Sequence, residues 1–390
     1  MSKATTYTFA PTSAGGISSE YQMSGAKAKA LFVDGEGPLV LKDLARDMAA
    51  RIHGVYEPTI PSYFYFDTLS LYNAFLSEEG REPNQPGDTL ALLVPHLLAY
   101  GIRDEDLRGE AAKAQIAPGV TDLIETLKQE GWEIRVISTA YSALWETVGS
   151  RLGLSHEQIA SSRLSLDKLK VELDWRDSLS SWVKLQERLV IQDKGDIQFA
   201  QHRFRKGEGL QFIWREYLSE TFPLVHNFYS HILPTEGFDP LRVVPIVGGS
   251  RKIDAILKFQ SELSIGTDQV TFVGDSITDD QAQKFVRENG GLAIALNGDR
   301  YAIRNAEIAV ALEDRMQLKG LLDAWVEGGL PRARSFVESQ GVTSIGKERQ
   351  TELSPNGPQL SLVEAEKVDI LAEVHQVYRE KSREGALPII

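Results

Sequence analysis

Two carboxylates set two residues apart, Asp34 and Glu36, close the short apolar run Ala30-Leu31-Phe32-Val33 and open the turn Gly35-Glu36-Gly37-Pro38. Three later segments carry reactive groups in the same way. Ser138 and Thr139 follow the apolar Ile134-Arg135-Val136-Ile137, and Lys252 begins a helical pattern after Gly248-Gly249-Ser250. Asp275 and Asp279 follow Val270-Thr271-Phe272-Val273 within Gly274-Asp275-Ser276-Ile277-Thr278-Asp279. Singly, each has a plain structural explanation. Asp, Gly and Pro are ordinary turn residues, and a serine or threonine often caps a helix. Together, in this order and at the carboxyl ends of strands, they lie where open α/β sheets place ligands.

The set meets the demands of phosphoryl transfer. An aspartate can attack phosphorus and form an aspartyl-phosphate. Because anion meets anion, a Mg²⁺ held by carboxylates is expected. A hydroxyl, backbone N–H groups and a lysine (Ser138, Thr139 and Lys252 here) would hold the transferring oxygens. Asp34, which directly ends the strand, is the expected nucleophile. Asp34, Asp275, Asp279 and the backbone carbonyl of Glu36 are the expected metal ligands, an all-oxygen set that suits a hard cation. Lys258 and Asp280 compete for two of these roles. Lys252 is preferred because it opens its helix, and Asp279 because of its spacing from Asp275.

The series Asp34-x-Glu36, Ser138, Lys252 and Gly274-Asp275-x-x-x-Asp279 resembles the haloacid dehalogenase (HAD) superfamily of phosphatases and phosphotransferases. The block Gly290-Gly291-Leu292-Ala293-Ile294-Ala295-Leu296-Asn297-Gly298, with Asn305-Ala306-Glu307 after it, is similar to that superfamily's closing segment. More narrowly, Asp34-Gly35-Glu36-Gly37-Pro38, Ile137-Ser138-Thr139-Ala140-Tyr141 and Gly290-Gly291-Leu292 resemble an archaeal-type branch known as energy-converting hydrogenase subunit R. The resemblance implies that Glu36 protonates the leaving group and later activates water. The superfamily has aspartate there, and the extra methylene of glutamate moves the carboxyl by about 1.5 Å. The reaction expected is hydrolysis of a small phosphomonoester. Transfer to an alcohol by a phosphotransferase or mutase, and a non-catalytic partner subunit of the same fold, are the alternatives.

These residues need a sheet to position them. Short apolar strands alternate with amphipathic helices, which predicts an α/β fold with a doubly wound, mostly parallel sheet. Strands are predicted at 30–33, 134–137, 243–247, 270–273, 292–296 and 308–312. Residues 29–41, 115–153 and 240–330 form the expected core. Residues 1–28 read as a loose arm, 42–114 as a helical cap insertion and 154–239 as a second helical insertion anchored by Trp175, Trp182 and Trp214. Residues 331–390 read as a helical tail for packing or oligomerisation, with Val368, Leu371, Val374 and Tyr378 on one face of its last helix. The aromatic run from Tyr63 to Phe75 reads as cap core, with Tyr63 and Tyr65 the candidates for any substrate contact.

Composition narrows the partners. A net charge of −13 over 390 residues argues against a broad nucleic-acid surface. No apolar run approaches the ~18 residues that span a bilayer, and Met1 to Ala28 has no signal-peptide pattern. Absence of cysteine removes disulfides and zinc–sulfur sites, so a cytoplasmic protein is expected. The seven histidines are scattered and read as surface or packing residues. Gly248-Gly249-Ser250 lacks the G-x-G-x-x-G pattern of a dinucleotide site.

Overall fold

The computed structural model describes residues 29–53, 63–81, 83–172, 176–205, 209–235, 237–340 and 359–382. The expected 1–28 arm and Trp175 lie outside them.

Seven strands form one sheet: β1 (Ala30–Val33), β2 (Glu133–Tyr141), β3 (Ile159–Ser162), β4 (Val270–Gly274), β5 (Leu292–Leu296), β6 (Ile308–Ala311) and β7 (Gln359–Leu362). Their order is β3-β2-β1-β4-β5-β6-β7, and all neighbours run parallel except β6 and β7. The α/β doubly wound, mostly parallel architecture expected from the sequence is therefore what the chain adopts. β1, β4, β5 and β6 are buried along their whole length, as strands covered by helices on both faces must be. Winding outward from β1 through β2 reverses at β4, so the switch point lies between β1 and β4.

The helices between β1 and β2 are α1 (Leu44–His53), α2 (Phe64–Glu78), α3 (Thr89–Ala99), α4 (Asp104–Ala111) and α5 (Val120–Gln129). α5 starts after Gly119 in the left-handed region and buries Val120, Leu123, Ile124 and Leu127, the stripe its spacing predicts. α6 (Ser142–Arg151) follows β2. After β3 come α7 (Leu166–Glu172), α8 (Arg176–Gln192) and α9 (Lys194–Arg205), then helical turns up to Val243. α8 packs on α3 and α9 on α2, so the two insertions form one layer over the sheet edge.

Four expectations need correction. Residues 243–247 form no strand. Asp239 caps a helical turn, Pro240–Val243, by accepting from Leu241 N, and Pro245 has no N–H to give a ladder. The insertion drawn at 154–239 contains β3, whose sequence Ile-Ala-Ser-Ser is too short and polar to read as a strand. The helical tail drawn from 331 also supplies the strand β7, while its last helix (Val368–Ser382) buries Leu371, Val374 and Tyr378 on the sheet, the face its spacing predicts. Trp182 is exposed, whereas Trp214 stacks on Phe75 with ring centres 4.4 Å apart. Among the described residues, no helix is long and apolar enough to cross a membrane.

Candidate active site

Asp34 follows β1 and Asp275 follows β4, so both stand at the switch point, where crevices form in open parallel sheets. Asp34 N donates to Val273 O at 2.8 Å, which locks the two strand ends together. Asp34, Asp275 and Asp279 are almost completely buried, and each offers a carboxylate oxygen within 4.8 Å of the others.

Lys252 binds this cluster together. Its Nζ lies 3.0 Å from Asp34 Oδ1 and donates to Asp279 Oδ1 at 2.7 Å. It enters from the first turn of helix Ser250–Leu263 and is fully buried. Burial disfavours its charge, but Asp279 and Asp34 outweigh that and hold its pKa above the usual lysine value. Burial pushes the Asp34 carboxyl well up, aided by Asp279 and Asp275 and opposed by Lys252. Lys258 is exposed beside Glu262, and Asp280 pairs with Arg304, so neither competitor reaches the cluster. Asp279 Oδ2 accepts from Asp275 N and Ser276 N at 3.0 and 3.1 Å. With both oxygens engaged, Asp279 shapes the loop that presents Asp275.

The other predicted residues divide. Glu36 lines the cavity beside Asp34, and its Oε1 accepts from Leu44 N at 2.8 Å. That bond satisfies an orphan N–H at the start of α1 and ties the carboxylate to the first insertion. The Glu36 side chain stands apart from the three-carboxylate cluster. Thr139 lines the cavity, with its hydroxyl donating to Val247 O at 2.9 Å. Ser138 is buried behind it; its Oγ accepts from Ala140 N, and a Cβ on Gly35 would come within 2.7 Å of that oxygen. Ser138 and Lys252 support the cavity from behind and do not form its wall.

The cavity, of about 90 Å³, is also lined by groups that sequence reasoning missed. Phe66, Ser70 and Asn73 of α2 line it, whereas the expected candidates do not: Tyr65 is turned toward Gln186 and Tyr63 lies against Arg46. The loop before α3 adds Pro86 and Gly87, and α3 itself adds Thr89. This loop is clamped to the sheet side: Ser250 N donates to Gln85 Oε1, and Arg251 pairs with Asp88. The glycines at 248 and 249 permit that approach, because a Cβ on Gly248 would sit 2.1 Å from Pro86 O.

Arg379 was also missed. It comes from the last helix, is buried, and donates from Nη1 to Asp275 O at 2.5 Å, with the same nitrogen 3.9 Å from Asp275 Oδ2. One helical turn earlier, His375 Nδ1 accepts from Gly298 N at 2.9 Å. Only the one-sided apolar pattern of that helix hinted that it docks on the sheet.

The donor set fits Mg²⁺. Three converging carboxylates face two cations, the Lys252 ammonium and the Arg379 guanidinium, which leaves net negative charge for a hard divalent cation, and no nitrogen or sulfur ligand belongs to the cluster.

The chain shares its path with a solved protein. It superposes on gene product AF1437 from Archaeoglobus fulgidus with a TM-score of 0.69 and 23% identity, over 93% of this chain and 100% of that one. This is a likeness of fold. Looser matches are an apo phosphoserine phosphatase (TM-score 0.43, 15% identity, 75% and 98% covered) and a HAD family hydrolase from Salmonella enterica serovar Typhi (0.39, 12%, 70% and 63%). No family model and no curated protein matches the chain.

Proposed function

We propose that the protein is a Mg²⁺-dependent phosphohydrolase acting on a small phosphomonoester through an aspartyl-phosphate on Asp34. The observation that carries this reading is the placement of Asp34, Lys252, Asp275 and Asp279 around one point at the sheet's switch point. Asp34 and Asp275 would hold the ion, with Asp279 behind them. When bound, the ion lowers the repulsion between carboxylate and phosphate.

The steps assigned to the chain's own residues are these. An Asp34 carboxylate oxygen attacks phosphorus, and the bond from phosphorus to the ester oxygen breaks. Glu36 gives its proton to the departing oxygen. Glu36 then takes a proton from water, whose oxygen attacks phosphorus, releasing phosphate and restoring Asp34. Lys252 keeps Asp34 in position and offsets the negative charge around it. The insertions contribute α2 and the loop before α3 to the wall of the cavity, where they would meet the substrate. The narrower likeness to the archaeal-type hydrogenase-subunit branch belongs with this proposal and rests on its three motifs.

A screen of phosphorylated metabolites with Mg²⁺, repeated with Asp34→Asn, tests the reading. Phosphate release from at least one small ester is expected, falling on the order of 10³-fold or more in the variant while the circular dichroism stays unchanged. Equal release by both proteins would overturn it. Adding alcohol acceptors separates hydrolysis from transfer, since a transferase would yield a new phosphoester.

A further inference from the structure

A second group of metal-ligating side chains lies away from the sheet edge, where the two insertions meet. His53 ends α1, His96 belongs to α3 and Glu187 to α8, and one ligand atom from each falls within 4.8 Å of the others. Glu187 Oε1 is 2.9 Å from His53 Nε2 and 2.6 Å from His96 Nδ1. Its other oxygen accepts from the Tyr100 hydroxyl at 2.5 Å.

The tautomer of His96 decides what can sit among these atoms. The Tyr229 hydroxyl is 2.9 Å from Leu92 O and 2.9 Å from His96 Nε2. With Tyr229 donating to Leu92 O, His96 Nε2 carries the ring proton and Nδ1 turns its lone pair toward Glu187 Oε1, 2.6 Å away. In that tautomer a metal ion between Nδ1 and the carboxylate binds both and also gathers His53 Nε2, 2.9 Å from the same oxygen.

We propose that His53, His96 and Glu187 bind one divalent transition-metal ion, and that this ion pins α1 and α3 of the first insertion to α8 of the second. Two imidazoles and one carboxylate suit Zn²⁺. Tyr229 is the outer partner that fixes the His96 tautomer, a common arrangement for metal-bound histidine. Zinc bonds of about 2.0–2.2 Å in tetrahedral geometry separate ligand atoms by about 3.3 Å, so His53 Nε2 and His96 Nδ1, now 2.9 and 2.6 Å from Oε1, need withdraw by about 0.4 and 0.7 Å. His96 is fully buried and Glu187 nearly so, while His53 keeps 12% of its side chain exposed and gives the ion a way in. Tyr65 and Tyr100 pack on the imidazole of His53, and a water would complete the four ligands of an ion whose role is to join the helices.

The test uses the full-length chain without an affinity tag, stripped by a chelator and then given Zn²⁺ in the presence of excess Mg²⁺. One zinc per chain should survive gel filtration in the wild type and in Asp275→Asn. It should fall at least tenfold in His96→Gln and in Glu187→Gln, and remain in His156→Ala, which alters an exposed histidine. Should the buried variants fail to fold, the wild type loaded with Co²⁺ decides. Four-coordinate cobalt with imidazole ligands gives an intense visible band, and six-coordinate cobalt on oxygen a faint one. Loss of zinc in Asp275→Asn, retention in both buried variants, or a faint cobalt spectrum would each overturn the proposal.

Discussion

Glu36 departs from the superfamily that the motifs resemble, and its surroundings give the departure a physical meaning. Its Oε1 holds the first turn of α1, so the longer side chain is kept in place by the insertion it caps. Glu36→Gln preserves that acceptor and removes only the proton chemistry. An aryl phosphate, whose leaving group needs no proton, should still phosphorylate Asp34 in this variant, and hydrolysis of the intermediate should then stall. The expected trace is a burst of about one product per enzyme followed by slow turnover, with a larger loss for alkyl than for aryl esters. Wild-type rates on both ester classes would reduce Glu36 to a turn residue. The residues at strand ends were legible in the sequence because an unbroken apolar run followed by an acid and a glycine can do little else. Arg379 was not, since nothing near it in the chain marks it as a partner of a loop 104 residues away.

At the scale of elements, the last helix does more than close the sheet. Through Arg379 it grips the carbonyl of Asp275, the residue expected to hold Mg²⁺, while His375 grips the turn after β5. Arg379→Ala should leave the sheet folded but free the Asp275 loop, lowering turnover on the order of 10²-fold and raising the Mg²⁺ concentration needed for half-maximal rate. Arg379→Lys keeps the charge without the fork of donors and should recover only part of the loss. Steady-state kinetics across a Mg²⁺ series would check this, and unaltered parameters in Arg379→Ala would refute it. The core elements were readable because their strands are apolar throughout and their helices are one-sided. β3 and β7 were not, being four residues each with polar positions, so pairing with a neighbour and not propensity makes them strands. The insertions gave only helical periodicity, which does not say which residues line a cavity; α2 presents Phe66, Ser70 and Asn73 to it, with Asn73 Nδ2 donating to Gln85 O.

For the whole molecule, docking of the C-terminal helix links stability to pH. Burial, with Arg379 nearby, lowers the His375 pKa to about 3, against an ordinary value of about 6.5 in the unfolded chain. The folded form thus favours the neutral ring, as acceptance from Gly298 N requires. Above about pH 6.5 both states are neutral there and the docking is fully effective. As the pH falls from 6.5 toward 3, the unfolded chain takes up a proton that the folded chain refuses, and stability is lost. Urea unfolding at a series of pH values should show a falling midpoint over that window, with a shallower fall in His375→Gln. Identical slopes in the two proteins would place the acid sensitivity elsewhere.

The central claim is that Asp34 carries the phosphoryl group. Its most direct measurement is acid quenching of the enzyme during turnover of an aryl phosphate with Mg²⁺, followed by peptide mass spectrometry of the quenched chain. The mass of one phosphoryl group should appear on the peptide that contains Asp34, accumulate in Glu36→Gln and be absent from Asp34→Asn. Turnover with no phosphoryl adduct on that peptide, even in Glu36→Gln, or an adduct on a different residue, would contradict the account.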